Sequence, residues 1–324
     1  MSHLFYNCPV VSVYAALAVL AAGARGRTLQ ELLAALSAHS GDELAARVAT
    51  VVARALADQS LSGGPAVTFA SAVWHDAAFA ASPAFRAAAA KSFNAESRAV
   101  DFHNELGSRG HKQPHQLETS LVITNAIYFK GMWEEPFNKA KTIVDKFYCL
   151  DGRTAKARFM RSDSSQFISV RDGLKVLKLP YQSSPPRHSM YVFPPDARHG
   201  QPKLVEKITS MPGFWRHQLP DTRVPVGEFR LPRLADLSDM GATAEGSAGG
   251  VLVFAGEVCH RAVVEVNEEG TEAVAATGMM FMPTCPRWSP PRLVDFVADH
   301  PFLFFVVEVS GAIMFVGHVL DPTN

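Results

Sequence analysis

The sequence predicts an α+β protein in which helices come first along the chain and β-strands follow. Apolar residues recur at helical spacing through much of the first hundred residues, whereas from residue 119 onward the apolar runs are short and strand-like. Repeated strand–helix–strand units are not visible in this order, which argues against a doubly wound parallel sheet. A chain of 324 residues, 48% of them hydrophobic, can bury a sizeable core, and one large domain can be this long.

The N-terminal part is predicted to contain four helices and one strand. Thr28 has the residue type of a helix N-cap, and Pro83 is suited to the first turn of a helix. Gly23 or Gly26 would end the first helix, because glycine is favoured just after a helix C-terminus. The first helix is predicted to begin near Pro9 or Ser12. The other predicted helices cover residues 28–36, 41–57 and 82–93, and alternation predicts a strand over residues 67–73.

The apolar run over residues 8–24 also resembles the hydrophobic core of a secretory signal peptide. A signal peptide carries positive charge before that run, but residues 1–7 contain no Lys or Arg. We therefore expect a buried helix here. No N-glycosylation acceptor occurs in the sequence, and we expect a cytosolic protein, with the extracellular space as the alternative.

The C-terminal part is predicted to be mainly β. Residues 121–129 form a nearly continuous apolar run, which is typical of a strand covered on both faces. Further strands are predicted at 146–150, 166–181, 188–193, 223–231, 251–266 and 301–319, with one helix at 202–209. Residues 104–118 are polar and predict no regular element, and 246–250 form a linker of small residues.

Charge and motifs exclude several classes of function. Lys+Arg and Asp+Glu number 31 each, and this balance argues against a nucleic-acid or anionic-membrane partner. The four cysteines show no CxxC spacing, so neither a zinc site nor a disulfide framework is expected. His111 and His115 have the spacing of a helical metal pair, but Pro114 between them disfavours the helix. Nucleophile-elbow, zinc-protease and nucleotide-binding motifs are absent, and we expect no cofactor, no metal and no enzymatic activity.

The most informative segment runs from residue 268 to residue 282. As a strand it would place Thr271, Ala273, Ala275, Thr277, Met279 and Phe281 on one uncharged face. Glu272 would lie on the opposite face. The segment can therefore be either an exposed loop or an inserted strand, and a simple connector or a short Ala-rich helix remains the alternative.

Four segments, taken in order, resemble the serpin family, and most closely the serpins of plants. Residues 124–133 are similar to a strand of the family's central sheet and the turn after it, and residues 264–273 to the hinge of its reactive-centre loop. Residues 295–304 resemble the family signature after that loop, and residues 311–322 resemble the terminal hairpin. The resemblance covers most of the chain.

This resemblance implies a single domain over residues 1–324 with three β-sheets, surrounding helices and an exposed reactive-centre loop at about 268–294. Family members inhibit serine or cysteine proteases as suicide substrates. The protease acylates itself on the loop, and the cut loop inserts as a strand in the central sheet and distorts the enzyme. The resemblance also implies a monomer.

Individual site residues follow from the same resemblance. The implied hinge comprises Glu269, Gly270, Thr271, Glu272, Ala273, Val274, Ala275 and Ala276. Ser12, Asn125 and His260 resemble the polar cluster that holds two strands of the sheet together until insertion, and ordinary buried polar residues are the alternative. Counted forward from Glu268, the family's loop length places the cleaved bond at Thr284–Cys285, which we adopt. Counted back from Asp295, it puts Cys285 on the acyl side, where Pro286 would obstruct cleavage. Arg287 would suit a trypsin-like protease but needs a longer loop.

Three stretches of the family pattern are missing or shortened. They are a first N-terminal helix, a long helix expected between residues 102 and 121, and a strand and helix expected between residues 231 and 251. A trap must hold its loop outside the sheet in a metastable state, and the loss of covering helices would weaken that state. We therefore expect a non-inhibitory or degenerate serpin, with an active suicide inhibitor as the first alternative. A hydrolase whose catalytic triad assembles in space is the second.

Overall fold

The computed structural model describes residues 5–8, 10–77, 81–93, 95–101, 121–185, 187–211, 213–234, 258–264, 266–270 and 292–323. Within these ranges the helices are α1 Val10–Gly23, α2 Gly26–Ala35, α3 Gly41–Ala55, α4 Pro83–Phe93, α5 Gln201–Ser210 and α6 Phe214–His217. The strands are β1 Phe5–Cys8, β2 Ala66–Asp76, β3 Ala95–Val100, β4 Leu121–Lys130, β5 Ile143–Tyr148, β6 Thr154–Met160, β7 Gln166–Arg171, β8 Leu174–Pro180, β9 His188–Phe193, β10 Arg223–Val224, β11 Val226–Pro232, β12 Val258–Val264, β13 Val294–Val297, β14 Phe302–Glu308 and β15 Ile313–Val319.

The described strands form three sheets. Sheet I has the strand order β1-β15-β14-β9-β8-β7-β10, sheet II the order β13-β11-β6-β5, and sheet III the order β12-β4-β2-β3. The α+β class and the three β-sheets predicted from the sequence are confirmed.

Sheet III combines antiparallel and parallel pairing. β2 and β4 are antiparallel, whereas β12 lies parallel to β4 from Val258 opposite Ile123 to Val264 opposite Phe129. Parallel neighbours cannot be joined by a tight turn, and here more than a hundred residues separate them in sequence. The pair β4–β12 therefore brings together two distant parts of the chain.

One face of sheet III is covered by helices. α1 packs against β4 and β12, and α4 packs against β3. Ala16 and Val19 of α1 meet Val73 of β2 and Ile123 of β4 in a buried core, because the small alanines let the helix approach the sheet closely. α1 is thus the buried helix that the sequence predicted. None of the helices in the described ranges combines the length and the apolar content needed to cross a bilayer.

The other face of sheet III is partly open to solvent. Tyr128 of β4 is 40% exposed, and Ala126 next to it along the same face is exposed. On β2, Thr68 pairs with Tyr128 and Ala70 pairs with Ala126, and both are exposed. The prediction that residues 121–129 are covered on both faces was therefore wrong, because a run of apolar residues does not reveal which of its members face solvent.

Several predicted boundaries also differ from the structure. The second helix begins at Gly26 with Arg25 as its N-cap residue, so Thr28 lies inside the helix and does not cap it. The predicted strand over 166–181 is a hairpin of β7 and β8, which turns at Asp172 and Gly173 with positive φ angles of 51° and 73°. The strand predicted over 146–150 is β5, which begins three residues earlier at Ile143. By contrast, β9 has the predicted limits of 188 and 193.

Candidate functional site

The candidate site lies where the chain leaves β12, over residues 266–270. The amide of Leu234 donates to the carbonyl of Val266 at 3.0 Å. The indole N–H of Trp133 donates to the carbonyl of Asn267 at 2.8 Å, and its backbone amide donates to the carbonyl of Glu269 at 3.1 Å. The segment is thus fixed by backbone hydrogen bonds to two other parts of the chain before it continues into residue 271.

Glu268 is the buried charged group of this segment. It is 3% exposed, and its carboxylate accepts a hydrogen bond from the Thr142 hydroxyl at 2.6 Å. The guanidinium Nε of Arg233 lies 3.4 Å from the same carboxylate. A buried carboxylate needs such partners, because removal from water is costly for an unpaired charge. Glu268 therefore connects the end of β12 to the part of the chain around sheet II that carries these partners.

Glu269 forms an ion pair of its own, with Lys139. The backbone carbonyl of Glu268 accepts a hydrogen bond from the amide of Phe137 at 2.6 Å. Lys139 and Phe137 both belong to the connection between β4 and β5. Successive residues of the segment are therefore held by different elements, and release of the segment requires several contacts to break together.

Gly270 occupies a position that no other residue fits without rearrangement. Its φ angle is +95°, in the region that favours glycine. A Cβ atom at this position would lie 2.5 Å from the amide nitrogen of Trp133, and nearer still to the Gly131 oxygen and the Met132 Cα. The resemblance to the family places Gly270 in the hinge, and the structure gives a reason of its own for glycine here, which is close backbone packing.

Trp133 lies directly beneath this segment. It is 1% exposed and stacks on Tyr181, with the ring centroids 4.5 Å apart. Tyr181 in turn contacts Phe129 of β4 edge-to-face at 4.9 Å. Burial raises the pKa of Tyr181, whose hydroxyl has no hydrogen-bond partner among the described residues. The aromatic stack thus links the end of β4 to sheet I directly below the hinge.

Sequence reasoning did not identify Trp133, Thr142 or Arg233 as site residues. Trp133 lies in a segment that matches the family, but no spacing relates it to Thr142 or Arg233. A buried glutamate at position 268 requires donors nearby, but the sequence does not reveal which elements supply them. These partners could be found only from the folded chain.

Two of the three residues of the predicted polar cluster, Asn125 and His260, occupy neighbouring backbone positions. Asn125 of β4 lies opposite His260 of β12 and opposite Ser71 of β2. Ser12 lies in α1, the helix that packs against β4 and β12. The side chains of Ser12, Asn125 and His260 lie outside the described residues, so their role as a polar cluster stays a prediction. Ser71 is a buried residue that the sequence analysis did not single out.

Other predicted sites also lie outside the described residues. They are the hinge residues Thr271, Glu272, Ala273, Val274, Ala275 and Ala276, the proposed bond Thr284–Cys285, and the pair His111 and His115. In the ranges that are described, no group of three or more His, Cys, Asp or Glu side chains could hold a metal ion. Cys149 is a buried free thiol, and burial raises its pKa, which disfavours the reactive thiolate.

The geometry allows one specific rearrangement. β4 and β12 are parallel neighbours, and the chain turns back after β12 at residues 266–270. A strand continuing from Gly270 toward the start of β12 would run antiparallel to both neighbours if it entered between them. Its backbone would then form hydrogen-bond ladders on both sides. The site can therefore act as the entry point for a new central strand in sheet III.

Comparison with known proteins bears on this arrangement. A family model described as Serpin (serine protease inhibitor) matches residues 8–322. Serpin-Z2B of Oryza sativa subsp. japonica is 43% identical over 368 residues, covering 97% of this chain and 90% of that protein. Serpin-Z1B of Triticum aestivum is 37% identical over 355 residues, covering 96% of this chain and 88% of the relative.

The fold comparison agrees with the sequence comparison. Arabidopsis AtSerpin1, solved in its native stressed conformation, superposes with a TM-score of 0.83 at 32% identity, covering 100% of this chain and 93% of that one. The family match spans nearly the whole sequence, and the sheet topology makes the strands of Asn125 and His260 parallel neighbours. The chain therefore belongs to the serpin family.

Proposed function

We propose that this serpin presents residues 271–291 to a serine or cysteine protease and is cleaved there as a substrate, without trapping the enzyme. The observation that supports this proposal is the partly exposed outer face of sheet III. Tyr128 is 40% exposed there, and the helices that contact the sheet in the described ranges, α1 and α4, contribute to the buried core on its other face.

Trapping requires a large gain of free energy when the cut loop enters the sheet. Each inserted residue gains backbone hydrogen bonds, but its side chain contributes further only where it is buried. On the exposed face of sheet III, the outward half of an inserted strand would stay in contact with water. The driving force for insertion is therefore reduced relative to that of a sheet covered on both faces.

The position of β12 supports the same conclusion. Insertion must separate β12 from β4 and break a parallel ladder that extends over seven residue pairs. In the part of the chain that the structure describes, β12 is the edge strand of sheet III, and a single bridge between Leu234 and Val266, just beyond its end, is all that holds its outer side as the gap opens. A protease would then complete hydrolysis before it could be displaced.

An active inhibitor is the second candidate, and it is favoured by the anchored segment 266–270, which contains the first two residues of the predicted hinge. Segment 266–270 is anchored above the junction of β4 and β12, as a loop must be if it is to enter between them. The 32% identity to AtSerpin1, solved in its native stressed conformation, also favours a loop-out form with stored insertion energy. These two features keep the inhibitory function as a defined alternative.

Incubation with a panel of serine and cysteine proteases separates the candidates. A non-inhibitory serpin should give cleavage within residues 271–291, no SDS-stable complex and a melting temperature unchanged by cleavage. An SDS-stable complex, or a melting temperature raised by about 20 °C or more after cleavage, would overturn the proposal in favour of an inhibitor. Hydrolysis of a peptide substrate by the serpin itself would establish an enzyme instead.

Two loop variants make the test internally controlled. In the predicted inserted strand, Ala275 lies on the uncharged face and Glu272 on the opposite face. Ala275→Arg should abolish any SDS-stable complex, because the guanidinium cannot enter the sheet unpaired, whereas Glu272→Arg should leave the complex in place. For a non-inhibitory serpin, neither variant should change the gel pattern.

A further inference from the structure

The outer face of the β5–β6 hairpin carries three cationic side chains at defined positions. Lys146 of β5 lies directly opposite Lys156 of β6, and Arg158 follows two residues later on the same strand and face. All three are exposed, and none forms an ion pair or a side-chain hydrogen bond with the described residues. We refer to Lys146, Lys156 and Arg158 as the basic patch.

This arrangement is unfavourable for the fold itself. Like charges directly opposite each other on adjacent strands repel, so the pair Lys146 and Lys156 destabilises the hairpin. Lysines on an edge strand are often explained as protection against aggregation, and β5 is the edge strand of sheet II. That explanation accounts for Lys146, but it does not account for Lys156 and Arg158, because β6 is an interior strand between β5 and β11.

The basic patch adjoins a cleft of about 320 Å³ beside the hinge segment. Arg158 lines this cleft together with Val144, whose side chain is 64% exposed. Arg233 and Lys139 also line it, but their charges are engaged by Glu268 and Glu269. Arg158 is therefore the cation of the cleft that has no acidic partner among the described residues, next to an exposed apolar side chain.

We propose that the basic patch is a docking surface for a short acidic segment of a partner protein. Along β6 the charges repeat every second residue, about 7 Å apart, which matches the spacing of alternate side chains in an extended acidic peptide. Carboxylates of such a segment would neutralise both Lys156 and Arg158, and Val144, which lies opposite Arg158 on β5, would supply an apolar contact. The partner would thereby bind next to the point where the chain leaves Gly270.

The surroundings favour protein carboxylates over a long polyanion. Acidic side chains lie near both ends of the hairpin, with Asp151 in the turn after β5 and Asp163 after β6. Each is bound to a local cation, Arg153 and Lys141 respectively. A nucleic acid or sulfated polysaccharide extending beyond the patch would find the cations Arg153 and Lys141 already engaged, and the chain has no net charge to attract it. A short acidic segment ends before it reaches them.

Fluorescence anisotropy with a labelled twelve-residue peptide of alternating Glu and Ser tests the proposal on the full chain. At 50 mM NaCl the wild type should bind the peptide, and Lys156→Glu/Arg158→Glu should bind it at least tenfold more weakly. The matched control is Lys91→Glu/Lys203→Glu, which makes the same change in net charge at exposed positions of α4 and α5. This control should retain the wild-type affinity within twofold.

A second readout keeps the test independent of folding defects. Lys156→Gln/Arg158→Gln should also lose peptide binding while its melting temperature stays equal to or above that of the wild type, because the repulsion from Lys146 is relieved. Absence of peptide binding by the wild type, or equal losses in the patch and control variants, would overturn the proposal. A DNA duplex or a sulfated oligosaccharide that binds through these residues in place of the peptide would overturn it as well.

Discussion

Replacement of Gly270 by alanine tests whether the hinge segment is held by close backbone packing. The φ angle of +95° is unfavourable for alanine by about 1–2 kcal/mol. The added Cβ would lie 2.5 Å or less from backbone atoms of residues 131–133, which no side-chain rotation can relieve, and such overpacking costs about 1–3 kcal/mol. We therefore expect Gly270→Ala to lower the free energy of unfolding by about 2–5 kcal/mol.

The matched control is Gly152→Ala in the turn between β5 and β6. Gly152 has a similar φ angle of +83°, but no atom lies within 4 Å of the position that an added Cβ would take. This variant should lose about 1–2 kcal/mol, the backbone term alone. Urea unfolding followed by circular dichroism measures both variants, and hydrogen exchange of the Trp133 indole reports whether the segment detaches locally. Equal losses in the two variants together with an unchanged Trp133 exchange rate would refute the packing argument.

Three further substitutions test the contacts around the hinge and the core below it. Trp133→Phe removes the indole donor to Asn267 and should lower the free energy of unfolding by about 1–3 kcal/mol in urea titrations; no loss would contradict the hydrogen bond. Glu268→Gln should cost about 1–3 kcal/mol at pH 7, because Arg233 loses its charged partner, and an unchanged urea midpoint would argue against the ion pair. Burial lowers the pKa of His188, so the folded state binds this proton less readily than the unfolded state, and stability should fall as the pH drops below about 6.5. One proton limits this loss to at most about 2 kcal/mol between pH 6.5 and 5, and His188→Met should flatten the pH dependence of the urea midpoint in this range; identical pH profiles would contradict the assignment.

Local signals in the sequence were sufficient for several elements. Pro83 marks the start of α4, and the apolar run after residue 8 marks α1, because proline in the first turn and apolar residues on every side are properties of the segments themselves. The limits of β9 were also predicted correctly, because they too depend on residues within the segment itself. The pair Asp172–Gly173 is a hairpin signal within 166–181, and the prediction of one continuous strand there ignores it.

Other strands carry too little local signal to be predicted. β3, Ala95–Val100, contains mainly small and charged residues, and it becomes a strand because it pairs in parallel with β2. In β6, Lys156 and Arg158 face solvent while Ala157 and Phe159 face the core, so the apolar pattern is short. β-Structure of this kind is fixed by neighbouring strands more than by its own residues.

The sequence predicted only those residues of the candidate site that lie in one contiguous segment of the chain. Glu269 and Gly270 were singled out because they lie in the matching segment, and their role as hinge residues stays a prediction. Thr142 and Arg233 come from distant parts of the chain around sheet II and meet Glu268 only after folding. The part of the site that sequence reasoning missed therefore consists of the partners that a buried carboxylate acquires in the folded core.

The pairing of the last strand constrains how this protein can be made in the cell. β15 lies between β1 and β14, so the strand formed by residues 5–8 finds its partner only after residues 313–319 have been synthesised. Until β15 pairs with it, β14 presents an unpaired edge of Phe and Val residues, which is a hazard for aggregation. A chain truncated before β15 should accordingly aggregate and be cut within β14 by an added protease, whereas the full chain should resist. Chaperones would thus be needed for as long as β15 is unpaired.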